Sequence, residues 1–184
     1  MKPLLVFEDI SAEKRSHLFT FAGVRIQATR YAWISVPMWI LFGLFVAFAG
    51  ERKSLSLETL WTGFLYGGCL YLANVIHSVG HIVAGKIVHS PMEILLLTSL
   101  RDVTLYAHSQ ASSPKRVRIL RSLGGPVLNL AAGLIGLGVM ALTGTYWVKV
   151  FAVVNCGVGL WTLCPVPTMD GWVIWTNLFR SGPR

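Results

Sequence analysis

Charge is what this chain is short of. Of its 184 residues only 13% are charged, eight of them Asp or Glu, while 54% are hydrophobic. That balance excludes an ordinary soluble domain and fits a chain solvated mainly by lipid. Cysteine is also scarce: Cys69, Cys156 and Cys164 lie in or at the ends of apolar runs, and no two share a CxxC spacing. A disulfide framework and a zinc knuckle are thereby excluded, and the three read as small packing residues. No small-residue cleavage site precedes a secreted domain, and the first apolar run starts too late and is too long for a cleaved signal peptide. It is expected to stay in the mature protein. One further shortage is local: His77 and His81, four residues apart in an apolar run, have Ser78, Val79 and Gly80 between them and no acid.

What is present in quantity is apolar sequence. A hydrocarbon core of about 30 Å needs roughly 20 apolar residues per helix. Four runs qualify, about Ala32 to Gly50, Leu60 to Val88, Ile119 to Leu142 and Trp147 to Leu163. The expected fold is an all-α membrane protein of about four transmembrane helices with a small β element at the cytoplasmic face. Residues 1–18 read as a cytoplasmic arm and 19–184 as one membrane domain.

The net charge of +8 is informative by its placement. Lys2, Lys14, Arg15, Arg25 and Arg30 precede the first run; Lys86, Arg101, Lys115, Arg116, Arg118 and Arg121 surround the long connection; Arg180 and Arg184 follow the last run. With four crossings all three groups share one side, leaving Arg52, Lys53 and Lys149 on the other. The positive-inside bias then puts both termini and the long connection in the cytoplasm. The basic charge is read as topology and lipid-headgroup contact, with no nucleic-acid role.

Between the arm and the first run, Phe19 to Thr29 alternates apolar and polar residues around Gly23, which predicts a strand at the membrane surface. A partner strand is expected in the long connection, where Glu93 to Tyr106 is rich in β-branched and aromatic residues and broken near Arg101-Asp102. Ser112-Ser113-Pro114 is expected to cap the next helix, with Lys115, Arg116 and Arg118 meeting headgroups. Asn129, behind Gly124-Gly125-Pro126, is costly to leave unpaired in lipid and should face protein. Cys164-Pro165-Val-Pro167-Thr-Met-Asp170-Gly171 predicts a broken helix, tolerable at membrane depth only where it lines a protein cavity.

Residues i and i+4 share a helix face, so His77 and His81 can present two imidazole nitrogens to one cation. Asp170 is the only acid in the later apolar segments and is the candidate third ligand. A divalent zinc ion would explain a carboxylate at that depth. Two other arrangements use the same residues: a hydrogen-bonded polar cluster holding helices together, and axial ligation of a haem or chlorin by one imidazole.

These residues also carry a family resemblance. His77-Ser-Val-Gly-His81 resembles the HExxH helix of the site-2 protease family of intramembrane zinc metalloproteases, except at Ser78. Pro165-Val-Pro-Thr-Met-Asp170-Gly171 is similar to that family's proline-containing bend and LDG-type motif. Ser113-Pro114 through Gly125-Pro126 and Asn129 resemble the stretch leading into its third core helix, so the resemblance spans about Phe19 to Leu178. It implies zinc bound by His77, His81 and Asp170 within the bilayer, and transmembrane helices as substrates. It also implies that the motif glutamate serves as the proton shuttle, which a serine hydroxyl cannot do near neutral pH. Thr162, Thr168 and Trp172 depart from the family pattern as well, where Asn, Pro and Gly would stand.

No catalytic base is therefore assigned. Glu58 lies about five helical turns from Ser78, and Glu93, beyond the helix, is the one weak substitute. The expected function is a proteolytically inactive, site-2-protease-like membrane protein acting as a regulatory or structural subunit of a membrane complex. Its partners would be lipids and a transmembrane helix or membrane protein. The alternatives are an active intramembrane protease with an atypical base, and a haem- or chlorin-associated subunit.

Overall fold

A computed structural model describes residues 15–51, 56–99, 102–106 and 113–179. The chain runs β1 (Arg15–Phe21), β2 (Val24–Thr29), a short 3-10 turn (Ala32–Ile34), α1 (Ser35–Glu51), α2 (Leu57–Ile87), β3 (Met92–Leu97), β4 (Val103–Tyr106), α3 (Lys115–Thr143), α4 (Tyr146–Thr162) and α5 (Asp170–Phe179).

The stretch expected as one strand is a hairpin. Ala22 and Gly23 both have positive φ, 50° and 81°, the mirror-image geometry that a two-residue turn between twisted strands requires. Only the glycine signals it. β2 then pairs in parallel with β3, from Arg25 opposite Ile94 to Ala28 opposite Leu97. β4 closes the far edge antiparallel to β3, giving the order β1-β2-β3-β4. The expected partner for the surface strand is thus found in the long connection. Val24, Ile26, Met92 and Leu95 bury one face of this sheet against Ile82 of α2, one residue beyond His81. The sheet is fixed to the helix that carries the histidines.

Among the described residues three helices are long and apolar enough to cross a membrane by length and composition: 32–50, 57–87 and 115–143. They present large apolar side chains outward, as at Leu41, Phe45 and Ile135. In water such a surface would be an association hazard; against acyl chains it is matched. α4, at 17 residues, stands at the lower limit for a span. α2 is begun by Ser56, whose hydroxyl accepts from the Thr59 amide at 3.1 Å, and carries Glu58 in its first turn and Lys86 in its last. Both charges suit the helix dipole. α1 packs on α2, α2 on α3, and α3 on both α4 and α5.

Within the stretch expected to cap α3, Pro114 is the capping residue; its ring has no polar atom and makes no side-chain hydrogen bond, and its contribution is a preset backbone angle. Ser113 is buried, and Lys115, Arg116 and Arg118 form the first turn of the helix itself. Ser112, residues 1–14 of the expected arm, and the charge-bearing positions Arg52, Lys53, Arg101, Arg180 and Arg184 lie outside the described residues.

Candidate metal centre

His77 and His81 project from the C-terminal third of α2, and Asp170 is the first residue of α5. One ligand atom from each lies within 4.8 Å of the other two. Asp170 Oδ2 is 2.9 Å from His77 Nε2 and 3.4 Å from His81 Nε2, and the two Nε2 atoms are 3.1 Å apart.

The opposite ring nitrogens decide what those atoms can do. His81 Nδ1 lies 2.8 Å from the carbonyl of Arg121, which can only accept, so Nδ1 carries the proton. His77 Nδ1 lies 2.8 Å from Asn129 Oδ1. The Asn129 amide nitrogen donates to the Ala73 carbonyl at 3.0 Å and to Asn155 Oδ1 at 2.9 Å, which leaves its oxygen for His77. Both imidazoles, when neutral, therefore turn an Nε2 lone pair towards Asp170. Two lone pairs 3.1 Å apart beside a carboxylate repel unless a proton or a cation lies among them. The donor set, two imidazole nitrogens and one carboxylate oxygen with each histidine oriented from behind, is one that zinc takes.

Asn129 and Asn155 are fully buried. Both were legible as amides within apolar runs, but their link to each other and to His77 depends on how α3 and α4 meet and was not.

Small residues allow this convergence. A Cβ on Gly80 would strike the backbone of Gly124, and one on Gly124 the carbonyl of Gly80, so α2 and α3 cross in backbone contact one residue before His81. A Cβ on Gly125 would lie 2.5 Å from His77 Cε1 and Nε2. The next break is at 163–169, where α4 has ended. Pro165 and Pro167 interrupt the backbone ladder, Thr168 takes φ 84°, and the amides of Val166, Met169 and Trp172 bond to Cys164, Val166 and Met169. Gly171 then sits against the carbonyls of Leu163 and Cys164, where no side chain fits. α5 is thereby folded back so that Asp170 reaches the histidines.

Ser78 is the residue whose surroundings the sequence did not disclose. Its hydroxyl donates to Asp102 Oδ2 at 2.7 Å. Asp102 lies in the link between β3 and β4, and burial pushes its carboxyl above the ordinary range against the opposing pull of Ser78 and the two histidines. Glu93 is on the exposed side of β3 and Glu58 in the first turn of α2; neither replaces the missing acid. The signal for Asp102 was slight, a single acid at the break in a strand-forming run.

Two cavities lie beside the histidine-bearing part of α2. One, of about 430 Å³, lies between α1, α2 and the sheet; Phe19, Trp39 and Tyr71 line it, with Asn74, Ser78 and Asp102 supplying polar groups. The other, of about 260 Å³, is bounded by His81, Tyr106, Arg121, Asp170 and Trp172.

No family model matches the sequence, and no curated protein does. Among solved structures the chain is similar to the site-2 protease from Methanocaldococcus jannaschii, with a TM-score of 0.61 over 89% of this chain and 71% of that one, at 18% identity. The fold is site-2-protease-like.

Proposed function

We propose that this chain is a multi-pass membrane protein that holds one zinc ion through His77, His81 and Asp170 and acts by binding, not by cutting peptide bonds. The four helices α1 to α4 cross the bilayer with both termini on the cytoplasmic side, and the protein serves as a regulatory or structural subunit of a membrane complex. The observation that carries this reading is the pair at position 78. A hydroxyl stands where a proton-accepting carboxylate would be needed, and it is already committed to Asp102. General acid-base catalysis contributes about 10² to 10⁴ in rate, so its loss leaves a scaffold that binds without efficient turnover.

Zinc at this position would supply Lewis acidity. The protein's own part is to hold both histidines in one tautomer, through Asn129 and the Arg121 carbonyl, and to keep Asp170 against them. The larger cavity, apolar with a polar end at Ser78 and Asp102, suits a hydrophobic peptide segment of a partner. A haem or chlorin is disfavoured because the Nε2 atoms face each other and Asp170.

A second reading is favoured by the same hydrogen bond. Asp102 brings a carboxylate within one hydroxyl of the vacant position, so an active hydrolase would use Asp102 as its base. Metal analysis of purified protein with His77→Ala and Asp170→Ala tests the site: one zinc per chain in the parent and none in the variants is expected, and a metal-free parent means a polar cluster. Cleavage of a single-span substrate tests the chemistry. No cleavage by the parent and a gain in Ser78→Glu supports the binding protein; cleavage by the parent that disappears in Asp102→Asn and in His81→Ala overturns it.

A further inference from the structure

We infer that the smaller cavity beside the histidine cluster is a binding site for an oxyanion, a carboxylate or phosphate group, received by Arg121. Arg121 is 1% exposed, on α3, one turn inward of the basic residues Lys115, Arg116 and Arg118. Its guanidinium is held on two sides. Nη1 donates to Ser90 Oγ at 3.1 Å, and the guanidinium carbon lies 3.8 Å over the centre of the Tyr106 ring. The remaining donors, Nε and Nη2, are buried and have no hydrogen-bond partner, and no ion pair to Arg121 forms among the described residues.

Those two nitrogens are not arbitrary leftovers. They form one edge of the guanidinium plane, whose two parallel N–H bonds match the two oxygens of a carboxylate or phosphate. A buried charge persists when it is paired, and here one face and one end are fastened while the forked edge is kept free. Arg121 lines the cavity, with Thr104 and Ser122 adding hydroxyls and Trp172 an indole wall. Its volume of about 260 Å³ far exceeds the roughly 30 Å³ share of one water. Asp170, the carboxylate at this cavity, turns Oδ2 to the two histidines, so its charge is faced by imidazole. The sheet and α2 cooperate in the arrangement: β4 supplies Tyr106, and the turn after α2 supplies Ser90.

The site is independent of zinc, and the test keeps the two apart. Full-length protein in detergent, stripped of metal with a chelator, is titrated by calorimetry with inorganic phosphate and with acetate at constant ionic strength, using chloride as the control anion. One saturable site for at least one oxyanion is expected, and which probe binds tells a phosphate source from a carboxylate source. Arg121→Lys keeps the charge but loses the fork, and should weaken binding at least about tenfold. Should that variant not fold, Val173→Phe, which enlarges a cavity-lining side chain on α5, is expected to abolish binding. The inference is overturned if the folded parent shows no saturable oxyanion binding, or if either folded variant binds like the parent. Binding seen only after zinc is restored and unchanged in the variants also overturns it, since the anion would then be a metal ligand.

Discussion

Ser78 donates a 2.7 Å hydrogen bond to Asp102, and this joins the histidine helix to the sheet at the residue following His77. The acid missing between the two histidines has a counterpart in Asp102, which arrives from a strand connection and behind a hydroxyl. Asp102→Asn therefore separates two roles of the pair. Burial raises the Asp102 carboxyl above its ordinary 3.8, so between 3.8 and the raised value the folded chain holds a proton that the unfolded chain has released. Folding stability is unpenalised below that window and falls as pH rises through it, by up to about 1.4 kcal/mol per pH unit for one group. Thermal midpoints in detergent, followed from about pH 4 upward, should show this fall in the parent and lose it in Asp102→Asn.

Asn129→Leu tests the orientation of His77. The substitution removes the acceptor for His77 Nδ1 and strips Ala73 and Asn155 of a donor. Each buried polar group left unpaired costs about 1–3 kcal/mol, and loss of an outer-shell partner typically weakens metal binding 10–100-fold. Zinc affinity measured against a competing chelator, together with the unfolding midpoint, should fall in the single variant. Adding Asn155→Leu should cost less than the sum of the two single changes, because one network is broken once.

Gly125→Ala places a methyl group 2.5 Å from the His77 ring. The helix should survive while bound zinc is lost, read by circular dichroism and metal content. Gly138→Ala on the same helix is the control: nothing lies within 4 Å of its added carbon. It should gain up to about 1 kcal/mol from helix propensity and leave metal content unchanged.

Tyr106→Leu removes the ring beneath the Arg121 guanidinium. A desolvated cation–π contact contributes about 2 kcal/mol, and chemical denaturation should register a loss of that order. Zinc content is expected to be unaffected, since among the described residues no hydrogen bond or ring stacking joins Tyr106 to either histidine.

These residues also mark where sequence reasoning reaches and where it stops. His77 and His81 are four apart in one helix, so local geometry alone puts them on one face. Asp170 stands out because an acid is rare in apolar sequence, and the proline bend before it explains how α5 turns back. The apolar lengths foretell the helices to within a few residues. Asp102 and Arg121 escape such reasoning for a different reason. Their roles follow from the parallel pairing of β2 with β3 and from the crossing of α2 over α3, contacts between segments far apart in the chain. Ala22 shows the local version of the limit: it takes a left-handed conformation because the hairpin demands it, against its own preference.

His77 and Asp170 are separated by 93 residues, and this sets a timetable for the protein's birth. Ribosomes add about 5–20 residues per second, so roughly 5 to 20 s pass between synthesis of His77 and of Asp170. During that interval the histidine helix has no carboxylate to answer it, and α3 and α4 must still be made and seated. Closure of the centre is thus a late event of biogenesis, and a nascent chain stalled before α5 would carry its helices without the centre that unites them.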